Sequence, residues 1–147
     1  MNKRIYYFNY RTSYTLRDKT RVRKWLLMAA DKERFEVIEL NYIFCNDQYL
    51  LQLNKKYLNH NSLTDILTFD NSSFDPRTPK RSLHADVFIS MPRVRQNATD
   101  FNVSLRDELH RVMIHGLLHL TGYRDKTVHQ QKRMRSREDY YLSLRFF

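Results

Sequence analysis

Cysteine is almost absent from the 147-residue sequence. Cys45 stands alone, so no disulfide can form within the chain, which points to a reducing compartment. It lies in an apolar run and is expected to be buried and inert. Only two glycines and three prolines occur, so regular structure should dominate and long loops should be few. No apolar run is long enough to span a bilayer. The start, from Met1 to Tyr7, lacks a long apolar segment followed by a small-residue cleavage site, so no signal peptide is expected. These absences predict a cytoplasmic protein with no membrane partner. Acidic residues are also few beside the basic ones, 16 against 26, for a formal charge of +10.

What is present fits one globular domain over residues 1–147. Hydrophobic residues make up 41% and aromatics 14%, well above a disordered composition. The positive field attracts polyanions. Basic residues also interleave with aromatics, at Arg21 to Trp25 and at Lys55-Lys56-Tyr57. That mixture suits phosphate contact combined with base stacking. The alternative is a solvated basic surface that serves solubility.

Hydrophobic periodicity predicts the elements. Ile5 to Phe8 reads as a short strand. Thr15 followed by Asp18 reads as a capping box that opens a helix to about Ala30, with Val22, Trp25, Leu26 and Ala29 inward. Phe35 to Cys45 reads as a strand with Ile38, Leu40, Tyr42 and Phe44 on one face. Asn46 can cap a helix to about Tyr57 that turns Leu50, Leu53 and Tyr57 inward. A polar stretch from Asn59 to Thr64 leads to a strand at Ile66 to Phe69. Asp70 to Ser82 reads as a surface loop, and His84 to Ile89 as a strand. Ser90, Ser104 and Thr127 are positioned to cap three further helices, the second ending at Gly122 and the last near Leu144. Interspersed strands and helices, too few for a barrel, indicate helices layered on a sheet.

The helix after Ser104 carries the chemistry. Val112 to Leu120 is apolar on nearly every side, and its only polar side chains are His115 and His119. Their i, i+4 spacing puts both imidazoles on one face, where they can converge on one zinc ion. Gly122 then turns the chain back, and Asp125 can supply a third ligand. Three protein ligands leave the fourth position open, as in catalytic zinc sites. Zinc can lower the pKa of water there to about 7 and polarise a phosphoryl oxygen. The bland alternative is two core histidines bonded to backbone carbonyls, with Asp125 solvated. Gly116 stands where a zinc protease motif places its general-base glutamate, which argues against a peptidase. A small residue there leaves room for substrate, or for close helix packing. Glu108, two turns earlier, is either a partner that orients an imidazole or a first-turn residue favoured by the helix dipole.

His115-Gly116-Leu117-Leu118-His119-Leu120-Thr121-Gly122-Tyr123 closely resembles the signature of the YbeY family. Leu53-Asn54, Tyr57 and Thr64 to Phe69 resemble its central segment, and Ala85 to Ser90 its Gly-Asp-Ile-x-Ile-Ser strand. Met134 and Glu138 occupy family-like places in the last helix. The resemblance implies an α+β fold, similar to zincins, with a mixed sheet of about four strands packed with helices. It implies a metal-dependent endoribonuclease that prefers single strands, matures the 3′ end of small-subunit ribosomal RNA and serves ribosome quality control. One Zn2+ held by His115, His119 and Asp125 is the implied cofactor. RNA, as ribosomal RNA or ribosomal subunits, is the implied partner, and DNA is not expected. The family usually ends its motif Gly-Tyr-Asp-His, with the last His as third ligand; here Gly122-Tyr123-Arg124-Asp125 puts Asp there. That swap adds negative charge beside the ion, which Arg124 can partly offset. Leu58 stands where the family commonly has Arg after the tyrosine. Lys55, Lys56 or Arg124 can substitute for that Arg, a residue the family implicates in activity, and Lys55, Lys56, Arg95 and Arg124 are the candidate RNA contacts. Two rival functions remain at this stage: a non-catalytic ribosome-assembly factor with a structural metal, and a hydrolase of small esters or amides.

The charge excess predicts RNA binding that weakens steeply with salt. Six to ten duplex phosphate contacts correspond to a loss of about 10³–10⁵ in affinity between 50 and 200 mM salt, with a shallower slope for single strands. Titrating labelled RNA across that range measures the slope, and flat affinity would remove the electrostatic argument.

Overall fold

A computed structural model describes residues 3–58, 64–73, 76, 77 and 79–147. The elements in order are β1 (Ile5–Asn9), α1 (Lys19–Lys32), β2 (Phe35–Cys45), α2 (Asp47–Leu58), β3 (Ile66–Asp70), β4 (Arg81–Ser90), α3 (Met91–Asp100), α4 (Leu105–Leu120) and α5 (Val128–Ser143). The four strands form one mixed sheet in the order β1-β2-β4-β3. β1 and β4 run parallel to β2, while β3 pairs antiparallel with β4. This is the expected α+β arrangement. The stretch from Asn59 to Thr64 lies outside the described residues except for Thr64, as do residues 74, 75 and 78 of the expected loop. That loop is also shorter than expected, since Asp70 ends β3 and Arg81-Ser82 opens β4.

Strand alternation gives the sheet two unlike faces. Leu40, Tyr42 and Phe44 of β2 and Leu83, Ala85, Val87 and Ile89 of β4 point into the main core with α1 and α4. The Tyr42 hydroxyl donates to the Met113 carbonyl at 3.0 Å, tying the central strand to α4. The Trp25 indole donates to the Tyr141 carbonyl at 2.8 Å, tying α1 to α5. On the opposite face, Cys45, Leu50 and Leu67 form a small second core beneath α2. Cys45 is buried there, and burial followed by the Asp47 charge pushes its thiol up to about 12, so it stays protonated and inert.

Three local expectations fail for identifiable reasons. α1 begins at Lys19, and Asp18 sits at its N-cap in the left-handed region (φ 57°) with no side-chain cap, so the Thr15 capping box does not form. Ile38 is 49% exposed and Val37 buried in its place. A register shift between Val37 and Glu39 adds one residue to β2 and turns Ile38 outward. In α2 the buried residues are Leu50 and Asn54, whereas Tyr57 is 57% exposed. The other caps form as the sequence predicts: Asn46, Ser90 and Ser104 each accept a backbone N–H, and Thr127 with Gln130 completes a capping box.

Gly116 is the point of closest approach between α4 and the sheet. A Cβ there would lie 2.7 Å from Ile66 Cδ1 and 3.2 Å from Val87 Cγ1. The small residue therefore serves helix packing, and the substrate-space reading is discarded. Alanine at this site pushes on the mobile tip of Ile66 but gains about 1 kcal/mol in helix propensity. Gly116→Ala is expected to change stability by no more than about 1 kcal/mol. Gly116→Glu forces a carboxylate into the core and should lose about 3 kcal/mol or more. Urea unfolding of both variants checks the contrast, and a fully stable Gly116→Glu chain would contradict the packing assignment.

Candidate metal centre

The metal-ligand geometry begins with the end of α4. Ser104 accepts from the Asp107 amide at 3.0 Å and fixes the start of the helix. Tertiary packing of Leu109, Val112, Met113, Ile114, Leu117 and Leu118 holds its apolar faces. His115 and His119 then stand together on the side left open. Their rings meet edge to face with centroids 4.5 Å apart. At the C-terminus the Gly122 amide donates to His119 O at 3.1 Å and the Tyr123 amide to Leu118 O at 3.0 Å. This is a Schellman motif, and Gly122 supplies the positive φ of 111° that it needs.

The turn brings Asp125 back over the imidazoles. Its Oδ2 lies 3.2 Å from His119 Nε2 and 3.4 Å from His115 Nε2. Donor atoms around a tetrahedral zinc with bonds of about 2.0–2.2 Å stand roughly 3.3–3.6 Å apart. One ligand atom from each of the three residues falls within 4.8 Å of the others, so the trio can hold a metal ion. All three are half-buried, which leaves a side open to a further ligand.

Glu138 of α5 orients this trio. Its Oε2 lies 2.6 Å from His115 Nδ1. Taken as Nδ1–H donating to the carboxylate, this contact leaves the Nε2 lone pair directed toward Asp125 and the ion position. Burial opposes the charged imidazole, but the Glu138 hydrogen bond and charge, then Asp125 and Asp65, together raise the His115 pKa. Arg111 in turn donates to Glu138 Oε1 at 2.9 Å and to Asp139 Oδ1 at 2.7 Å. The orienting carboxylate is therefore Glu138. Glu108 makes no hydrogen bond to either histidine. The signal in the sequence was the place of Glu138 in the last helix, but no spacing rule links it to His115 across 23 positions.

The turn itself is anchored from the far side. The Tyr123 hydroxyl donates to Glu33 Oε1 at 2.9 Å, Arg137 donates to Glu33 Oε2 at 2.6 Å, and the Tyr141 hydroxyl donates to the same oxygen. Burial works against the Glu33 carboxylate, but these three donors hold its pKa below the usual value. Two grooves adjoin the imidazoles. One, of about 490 Å³, runs from His119 and Gly122 past Phe35, Ser72, Ser82 and Arg81. The other, of about 260 Å³, runs from His115 and Asp125 past Asp65, Glu108, Gln131 and Arg135. Lys55 and Lys56 are exposed on α2, and Lys56 Nζ sits 5.2 Å from the Tyr57 ring centroid. Arg95 is exposed on α3, and its charge acts on Tyr14. Arg124 lines a separate shallow groove with Glu33, Gln130 and Arg133. None of these four lines either groove beside the imidazoles. The cations that do line them are Arg81 in the first groove and Arg111 and Arg135 in the second; of these only Arg135 falls in a basic run of the sequence, Lys132 to Arg137.

Glu138→Gln is expected to weaken zinc binding by about 10- to 100-fold, since an amide is a poorer acceptor for the imidazole N–H. Protons compete with metal for His115, whose raised pKa makes them compete from above 6.5 downward. Affinity of the native chain should therefore fall as pH drops through that region, and Glu138→Gln should move the fall to lower pH. Competition with a fluorescent chelator across pH measures both effects, and identical curves would remove Glu138 from this role.

Comparison with known proteins identifies the family. The family profile described as Endoribonuclease YbeY matches residues 8–144. The chain is 50% identical to the Endoribonuclease YbeY of Cytophaga hutchinsonii, over 97% of this chain and 96% of the relative. It is 45% identical to that of Flavobacterium psychrophilum, over 93% and 94%. The solution structure of TM1509 from Thermotoga maritima shares the fold at a TM-score of 0.60 and 24% identity, covering 95% of this chain and 87% of the other. With the signature on α4 and matches along nearly its whole length, the chain belongs to the Endoribonuclease YbeY family.

Proposed function

We propose that the chain is a zinc-dependent endoribonuclease that prefers single strands, acts in 3′-end maturation of small-subunit ribosomal RNA and serves ribosome quality control. The observation that carries the chemistry is the trio of His115, His119 and Asp125, with Asp125 Oδ2 3.2 and 3.4 Å from the two imidazoles. Two imidazoles and one carboxylate form a catalytic zinc set with an open position. A bound zinc ion supplies Lewis acidity and activates water for attack on a phosphodiester. His115 and His119, with Asp125, would hold the ion, and Glu138 at His115 Nδ1 would leave Nε2 free to face it. Arg81 and Arg135 stand in the two grooves where phosphates on either side of the scissile bond would lie. Support for RNA as substrate comes from the family and from the +10 charge. No described helix is long and apolar enough to cross a membrane.

Asp125 tests the reading most directly, because two imidazoles alone hold zinc weakly. Asp125→Ala should lose zinc on dialysis and lose RNA cleavage, while the circular dichroism spectrum stays native because α4 packs through its apolar faces. Asp125→His should retain zinc, and its less negative ligand set should shift the pH–rate profile to lower pH. Full zinc stoichiometry in Asp125→Ala would sink the three-ligand assignment. Cleavage of ribosomal RNA that survives chelation, with zinc shown to be gone, would leave the metal a structural part of an RNA-binding factor.

A further inference from the structure

The groove of about 260 Å³ beside His115 contains a carboxylate that the proposed hydrolysis does not use. Glu108 is 5% exposed, and its carboxylate makes no side-chain hydrogen bond or ion pair to a described residue, feeling Arg111 and Arg135 only as nearby charges. Its neighbours are already engaged. Asp65 accepts from Asn97 Nδ2 at 3.2 Å, and Glu138 is shared by His115 and Arg111. Arg111 is bound to Glu138 and Asp139. The Glu108 side chain is buried but lines the groove, where a ligand or water can serve its oxygens. The groove holds several times the roughly 30 Å³ of one water. Phe101, 59% exposed, lines the groove together with Gln131 and Arg135.

We propose that this groove is a base-recognition pocket, in which the Glu108 carboxylate selects guanine at one position flanking the phosphodiester held at the metal centre. The proposal rests on the RNA-hydrolase reading and adds its substrate preference. The chemistry follows from donor patterns. Single-stranded bases are read on their Watson–Crick edges and stacked on aromatic side chains. Guanine presents two adjacent donors on that edge, N1–H and N2–H, which one carboxylate accepts in parallel. Adenine and cytosine each set an amino donor beside a ring acceptor, and uracil flanks its single N–H with two carbonyls. Each of those brings an oxygen or nitrogen lone pair against the carboxylate. Phe101 offers a face for the base to stack on, and Arg135 reaches for the phosphate. Burial, then the Asp65 charge, raise the Glu108 pKa against the partial offset of Arg111 and Arg135; two N–H donors would favour its ionised form.

The test maps cut sites of the zinc-loaded full chain on a randomised single-stranded RNA library by sequencing. Guanine should be enriched about tenfold or more at one fixed position relative to the cut, in line with a bidentate contact. Glu108→Gln should flatten that preference, and Phe101→Ala should weaken it. A native chain that cuts without base preference, or a Glu108→Gln chain with unchanged guanine enrichment, overturns the proposal. A second measurement does not depend on cleavage. Guanosine 5′-monophosphate should shift amide resonances around Glu108 and Phe101 in the metal-free chain, whereas uridine 5′-monophosphate, with the same phosphate, should not. Equal shifts from both nucleotides, or none, count against the pocket. Selective guanosine binding in a chain that cleaves no RNA retains the pocket and rejects the hydrolase.

Discussion

The close seating of α4 on the sheet governs the rest of the molecule. Ile66 and Val87 occupy the space where a side chain at Gly116 would stand, so the helix lies flat against β3 and β4. That contact fixes the rotation of α4 about its own axis. Met113, Leu117 and Leu118 face inward, and the face bearing His115 and His119 is carried to the mouth of the two grooves. A helix free to roll by even one residue, about 100°, would turn both imidazoles away from Asp125 and the grooves. The apolar core thus acts on the metal centre as a jig, and the ligands inherit their direction from it.

The remaining parts of the centre come from loops and from α5. Gly122 turns the chain, the Tyr123 hydroxyl is held by Glu33 at the end of α1, and Asp125 is delivered between those anchors. Glu138 closes the arrangement from the other side. Each oriented group is itself gripped: Glu138 by Arg111, Glu33 by Arg137 and Tyr141. Charged pairs of this kind add little stability where solvent screens them. Their effect here is directional, because each leaves a ligand one arrangement instead of several.

The sequence exposed the fold and the ligands to different degrees. β2 matched residue for residue in extent because its alternation is long, yet its facing failed at Ile38, where one bulged residue inverts the pattern. The α1 start was misread because the Thr15 to Asp18 spacing mimics a capping box, while the backbone passes through a left-handed turn at Asp18. His115 and His119 were legible because helical spacing alone makes them neighbours. Asp125 was legible because the turn that returns it is only a few residues long. Glu33 and Arg81 were not, since tertiary packing places them and no local period encodes it; Glu138 was marked only by its family-like place in the last helix, with nothing to link it to His115. The four basic residues singled out from composition fall outside the grooves beside the imidazoles, a reminder that charge clusters in sequence do not map onto one surface.

The Trp25 bond to the Tyr141 carbonyl spans 116 positions, and the Glu33 bond to Tyr141 spans 108. With them, parallel pairing of β1 with β2 and of β2 with β4 makes much of the contact map non-local. Chains of this topology collapse early but complete their native contacts slowly, since distant segments must be closed into loops before any contact rewards them. The two imidazoles of α4 become neighbours through one helix and Asp125 through the short turn after it, whereas Glu138 meets His115 across 23 positions, through the docking of α5. Loosening α5 would therefore leave the three ligands near one another but free the His115 ring to turn.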